Sequence, residues 1–146
     1  MAEKFEAKVL LVDDEEQFLE MLSERLETRG LKVNSATSGE EALDLVSDKS
    51  FDAIVVDLAM PGIDGIETLR RIKEKRPDLE IIMLTGQATV KSGIEAMKLG
   101  AEDFLEKPVD INELLGKISE AKHKRMIVLE KKHKDELKKI MKSKSW

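Results

Sequence analysis

The chain has no cysteine, and none of its apolar runs exceeds four residues. The first absence excludes disulfides, thiolate metal sites and a cysteine nucleophile. The second excludes a membrane-spanning helix, which needs about 18 consecutive apolar residues. The opening MAEKFEAK lacks the apolar core of a secretory signal, so cytoplasm is the expected location. There is no internal repeat and no low-complexity linker. Aromatic residues make up only 3%, and the basic C-terminal stretch carries none before Trp146. Base stacking there has little to work with, so nucleic acid is not an expected partner.

What the chain does have is charge, 38% of its residues, beside 41% apolar. Its 146 residues suffice for one compact domain with a full core and some surplus. The net charge of −5 conceals an asymmetry. Residues 121–146 hold ten Lys/Arg against three Asp/Glu, leaving 15 against 27 in the remainder. This compositional step predicts a body over 1–121 and a basic helical tail over 122–146.

Short apolar runs alternate with helical patterns along the body. Lys8–Val12, Leu31–Ala36, Ala53–Asp57, Ile81–Leu84 and Asp103–Glu106 read as strands. Ser38 with Glu41, Asp64 with Glu67 and Asp110 with Glu113 read as capping boxes opening the second, third and fifth helices. Gly30 and Gly100 end the first and fourth helices. The fourth spans about Thr89 to Leu99, with Val90, Ile94 and Met97 on one face. Val109 and Leu114 fit a hydrophobic staple at the last helix, which meets no breaker after Lys117. Five strands alternating with five helices predict an α/β, doubly wound parallel sheet with helices on both faces and an extended C-terminal helix.

The stretch FDAIVVDLAMPGIDG organises the rest. Asp57 stands where a buried strand stops, and Met60-Pro61-Gly62 breaks the chain after it. A charge there is costly unless it has a use. In a parallel sheet every strand delivers its carboxyl end to one edge. Strand one brings Asp13 and Asp14, strand three Asp57, strand four Thr85 and strand five Lys107. Three converging carboxylates repel, and a hard cation such as Mg²⁺ relieves that repulsion through oxygen ligands. With the metal's charge on the transferring oxygens, a carboxylate can attack a phosphoryl group. Taken singly, the Asp13-Asp14 pair also reads as a solvated helix start.

Together, in order, these residues resemble the receiver domain of two-component response regulators over about residues 7–120. The motifs are Asp13-Asp14, Asp57 followed by Leu-Ala-Met-Pro-Gly-Ile-Asp-Gly, Thr85-Gly86, and Phe104 before Lys107-Pro108. The resemblance implies a flavodoxin-like sheet of strand order 2-1-3-4-5. It implies that Asp57 is the phosphoacceptor, served by a sensor histidine kinase or phosphotransfer protein. It implies Mg²⁺ held by Asp14, Asp57 and the Ala59 backbone carbonyl, with Asp13 acting through water. Lys107 would pair with the phosphate, next to a cis Lys107-Pro108 peptide. Thr85 and Phe104 would form the switch pair, read out on the face of helix four, strand five and helix five. Such a protein is a phosphoprotein that phosphorylates and dephosphorylates itself, and not a turnover enzyme. Ala59 is small for its place beside Asp57, which leaves Gln87 to set water access.

Two other functions remain open at this point. A phosphoaspartate-forming hydrolase of the haloacid dehalogenase kind uses similar chemistry, but with an Asp-x-Asp motif on strand one. The chain also fits the receiver fragment of a longer DNA-binding regulator. His123 and His133 lie ten residues apart, which is not the spacing of a helical metal pair. In the tail, Met126, Leu129, Leu137, Ile140 and Met141 form a loose apolar stripe interrupted at His133, without strict heptads. A homodimer through the tail, or through the helix four to helix five face, is a possible assembly.

Overall fold

The structure is a computed structural model and describes residues 6–60, 64–86 and 90–143. Its elements in chain order are β1 (Lys8–Val12), α1 (Glu16–Thr28), β2 (Lys32–Ala36), α2 (Gly39–Asp48), β3 (Ala53–Asp57), α3 (Gly65–Lys75), β4 (Ile81–Thr85), α4 (Val90–Lys98), β5 (Asp103–Glu106) and α5 (Ile111–Ser143). The strands form one parallel sheet in the order β2-β1-β3-β4-β5, the order that the resemblance implied.

The strand sequences explain how the layers form. A strand turns successive side chains to opposite faces, so a continuous apolar run buries both. Leu10, Val12, Ile54, Val56, Ile81 and Met83 pack into one core with side chains of α2, α3 and α4. Val9, Leu11, Ala53, Val55, Ile82 and Leu84 pack into the other with α1 and α5. Burial of each large aliphatic side chain contributes roughly 2 kcal/mol. β2 carries only Ala36 fully buried, as suits a border strand.

The predicted boundaries hold with local differences. Gly30 (φ 95°) and Gly100 (φ 101°) take the left-handed conformation that ends α1 and α4. Ser38 and Asp64 accept hydrogen bonds from the backbone N–H groups of Glu41 and Glu67. The reciprocal arms of those capping boxes do not form. The Glu41 carboxylate instead accepts from the Thr37 backbone N–H and hydroxyl. Glu67 is drawn to the guanidinium groups of Arg70 and Arg71, because a full charge is a stronger partner than a neutral amide. Asp110 caps α5 by accepting from Asn112 and Glu113.

On α4 the sequence reading groups Ile94 and Met97 on one face without giving its direction. Ile94 and Met97 lie exposed, and small Ala96 is the residue buried against the sheet. The apolar stripe of this helix therefore faces outward, beside Phe104. Thr89, Pro61, Gly62 and Trp146 lie outside the described residues, as does Gln87.

α5 runs unbroken for 33 residues. Its first turns bury Leu114, Ile118 and Ala121. Polar anchors continue past the expected limit at 121. The Lys122 ammonium donates to the Glu6 carbonyl, Lys124 pairs with Glu102 at 2.8 Å, and Arg125 reaches Asp78 at 3.4 Å and Asp52 at 3.6 Å. From Met126 to Lys142 every residue is exposed.

Candidate functional site: an acidic cluster at the carboxyl edge of the sheet

Four of the five sequence-predicted groups meet where the strands end, and Thr85 ends the neighbouring strand β4. Asp57 closes β3, and its position is fixed on both sides. The Leu58 N–H donates to the Leu84 carbonyl at 2.7 Å, and the Gly65 N–H donates to the Leu58 carbonyl at 3.0 Å. Asp13 follows β1, with its N–H on the Ala36 carbonyl at 3.1 Å. Its side chain accepts from the Glu15 N–H at 2.9 Å, turning the chain into α1. Thr85 closes β4, and its carbonyl accepts from the Lys107 N–H at 2.8 Å. The Lys107-Pro108 peptide is cis.

Asp13 is 1% exposed, while Asp57 and Thr85 are each 5% exposed. Asp14 is exposed. One carboxylate oxygen from each of Asp13, Asp14 and Asp57 lies within 4.8 Å of the others. The Lys107 ammonium sits 2.7 Å from Asp13, 3.6 Å from Glu15 and 3.8 Å from Asp57. It also lies 4.3 Å from the centre of the Phe18 ring, a contact in which the ring face attracts the cation.

These surroundings set the charge states. Burial first, and then the Asp13 carboxylate, push the Asp57 carboxyl up to about 6, against the opposing pull of Lys107 and the Ala59 N–H. That N–H donates to Asp57 at 3.3 Å. Burial acts to lower Lys107, but the hydrogen bond and charge of Asp13, with Asp57 and Glu15, hold it above its usual value. One lysine thus leaves the cluster under-neutralised. The donor set fits a hard divalent cation. Three carboxylates converge, all are oxygen donors, and the one with the raised pKa gains most from added positive charge.

Three contributors escaped the sequence reading. Phe18 and Glu15 lie at the start of α1 and meet Lys107 only through the fold. Gly65 lies directly behind Asp57. A Cβ there would overlap the Asp57 carbonyl oxygen and come within 2.6 Å of the Leu58 Cα. The second glycine of Gly62-Ile63-Asp64-Gly65 was the available signal, since a glycine at a helix start after a break marks a close backbone approach.

Of the expected switch pair, Thr85 is buried at the end of β4 and Phe104 lies outward, 37% exposed. The Phe104 ring rests over Gly93 of α4, where a Cβ would stand 3.2 Å from it. With Ile94 and Met97 it borders a shallow apolar groove of about 520 Å³.

A family profile described as the response regulator receiver domain matches residues 9–119. The chain belongs to the response regulator receiver family. It is 40% identical over 126 residues to the C4-dicarboxylate transport transcriptional regulatory protein DctD of Pseudomonas aeruginosa, covering 86% of this chain and 27% of that protein. It is 37% identical over 111 residues to the response regulator MprA of a Mycobacterium species, covering 76% of this chain and 48% of that one. The chain therefore spans about a quarter to a half of the length of these curated relatives. Among solved structures it resembles a receiver domain protein from Clostridium thermocellum, with a TM-score of 0.80 and 35% identity over 84% of this chain and 98% of that one. It also resembles NtrX from Brucella abortus, with a TM-score of 0.79 and 26% identity over 86% of this chain and 29% of that one. As a receiver domain, the chain is grouped with two-component signalling proteins and not with haloacid dehalogenase hydrolases. No helix among the described residues is long and apolar enough to cross a membrane.

Proposed function

We propose that this receiver domain is switched by phosphorylation at Asp57. An Asp57 carboxylate oxygen attacks the phosphorus of a donor phosphohistidine on a sensor histidine kinase or phosphotransfer protein. The P–N bond breaks as the P–O bond forms, and the imidazole leaves with its electron pair and takes up a proton. Mg²⁺, when bound there, would supply positive charge to the transferring oxygens. Asp14, Asp57 and the Ala59 carbonyl would hold it, with Asp13 acting through water. Lys107, already 3.8 Å from Asp57, pairs with the transferred phosphoryl group, and the Thr85 hydroxyl donates to it. The observation that carries this reading is the crowding of a buried, reluctantly ionised Asp57 beside Asp13, Asp14 and a single ammonium group.

The phosphorylated aspartate is larger and more negative than the carboxylate it replaces. Drawing Thr85 toward it opens room behind, and Phe104 turns inward from its exposed position. That movement alters the face of α4, β5 and α5, where Ile94 and Met97 stand exposed. A coupling of about 1–3 kcal/mol is enough to change partner affinity 5- to 150-fold. Self-phosphorylation and self-dephosphorylation are the only reactions, and a cytoplasmic setting suits a histidine kinase as donor. The lengths of the relatives support the view that the domain serves a longer regulator in which α5 leads into an output region. Homodimerisation through the α4–β5–α5 face is the accompanying assembly.

The test is phosphorylation with Mg²⁺ and a small acyl-phosphate donor, followed by intact mass. Wild type gains one phosphoryl group and Asp57→Asn gains none. Equal labelling of the two would overturn the assignment.

A further inference from the structure

The exposed end of α5 has an order of its own. At 100° per residue, Met126, Leu129, Leu137, Ile140 and Met141 fall within an arc roughly 120° wide, with His133 near its middle. All five apolar side chains are exposed. Residues 126–143 also hold six lysines against three acidic residues, and the lysines flank the stripe on both sides. The stripe follows the 3.6-residue period of a straight helix, not the 3.5-residue period that winds two helices together. Pairing two such tails side by side would bring a dozen lysines together. A helix of this kind fits a surface that is apolar at the centre and acidic at the margins.

The body of the same chain offers that surface. A groove of about 400 Å³ runs between α1 and the border strand β2. Leu19 and Val33 lie in it, and Glu16, Glu20, Glu24 and Glu27 line its α1 side. None of these four carboxylates is paired with a cation among the described residues. Some carboxylates elsewhere on the body do meet cations, as Glu67 meets Arg70 and Arg71, and Glu102 meets Lys124. Like charges three and four apart each cost an isolated helix about 0.2–0.5 kcal/mol, so α1 keeps an unfavourable row that a basic partner would relieve.

The tail cannot reach its own groove. Lys124 and Arg125 hold α5 to the body by their ion pairs, and the helix then continues straight for 18 residues, about 27 Å. We propose that the basic face of residues 126–143 docks into the α1–β2 groove of a second copy of this chain. The apolar stripe lies over the half-buried Val33, and the flanking lysines meet the glutamate row. The upper end of the groove, at Glu16 and Thr37, adjoins Glu15 of the acidic site. A docked tail therefore stands beside the approach to Asp57.

Charge reversal on each half tests this with the full chain. Glu20→Lys/Glu27→Lys cancels the negative charge of the groove, and Lys131→Glu/Lys138→Glu removes the positive excess of the tail; each pair is spaced seven residues apart. Circular dichroism checks that both variants keep their helices, and sedimentation equilibrium measures association at 50 mM and 300 mM salt. Wild type is expected to self-associate at low salt and to weaken at least tenfold at high salt. Each variant alone is expected to associate at least tenfold more weakly than wild type. Mixing the two restores association, because the unaltered basic tail of the groove variant then finds the unaltered acidic groove of the tail variant. A monomeric wild type would overturn the proposal. So would a groove variant that associates like wild type, the result expected of tail–tail pairing or of a dimer through the α4–β5–α5 face, or two variants that stay apart on mixing.

Discussion

The two edges of the sheet use the same kinds of charged residue to opposite ends. At the amino edge, Asp52 and Asp78 face Arg125, and Glu102 faces Lys124. Burial would raise Asp78, yet its hydrogen bond to Arg76 and the charges of Arg76 and Arg125 leave it below the usual carboxylate value. Glu80 is the exception, raised by burial and by the neighbouring Glu102. At the carboxyl edge, Asp13, Asp14 and Asp57 share one lysine, and Asp57 is pushed up to about 6. The amino edge is neutralised from within the chain and anchors α5. The carboxyl edge has a deficit of positive charge that only something from outside can supply. Pairing holds an element in place, and incomplete pairing leaves a cluster of oxygen donors that fits a cation.

The largest expected effect comes from behind the site. Gly65→Ala forces a Cβ into the backbone that carries Asp57 and should destabilise the fold by about 3 kcal/mol, read from the midpoint of urea unfolding. An unchanged midpoint would mean that the loop moves aside freely and does not fix Asp57.

Next is the amino edge. Arg125→Met strands two partly buried carboxylates and should cost about 2 kcal/mol, below the full value for a deeply buried pair because Asp52 and Asp78 keep some exposure. Hydrogen exchange should quicken along residues 117–125 while the acidic cluster is unaffected.

Asp57→Asn should do the reverse and stabilise the metal-free protein. The folded-state value of about 6 lies above the ordinary 3.8, so the native state holds the proton more tightly than the unfolded chain. The resulting penalty is absent below pH 3.8, grows as pH rises toward 6 and is complete above it. At pH 7 the variant should therefore gain about 2 kcal/mol over wild type, and near pH 4 the gain should nearly vanish. A pH-independent difference would break the contrast between the edges.

The smallest effect is the cation's. At ten times its dissociation constant, Mg²⁺ should stabilise wild type by about 1.4 kcal/mol and Asp57→Asn by clearly less. Arg125→Met should retain the full response, because its edge takes no part in binding.

Much of this was legible beforehand, for identifiable reasons. β1, β3 and β4 announce themselves because a strand covered on both faces must be apolar throughout. Asp13, Asp14, Asp57, Thr85 and Lys107 stood out because each ends a strand, and parallel strands bring their ends to one edge. α4 was less legible. Its Ile94 and Met97 repeat as a buried stripe would, but Ala96 takes the inward position and the large residues stay outside. Periodicity reveals an apolar face without revealing which way it points. Phe18 and Glu15 were hidden because their contacts with Lys107 span some ninety residues. The anchoring of Lys124 and Arg125 was hidden for the same reason: in sequence they look like the start of a uniform basic tail.

The amino-acid sequence by itself determined the alternation of strands and helices, the parallel sheet, and the set of groups delivered to its carboxyl edge. Those follow from local periodicity and from a topological rule that needs no distances. Only the tertiary structure decided how the charges were shared. It gave Lys107 chiefly to Asp13, left Asp57 buried and under-neutralised, and spent Lys124 and Arg125 on holding α5 while the next 17 residues stayed exposed. Charge–charge energies depend on separation and burial, and a sequence records neither.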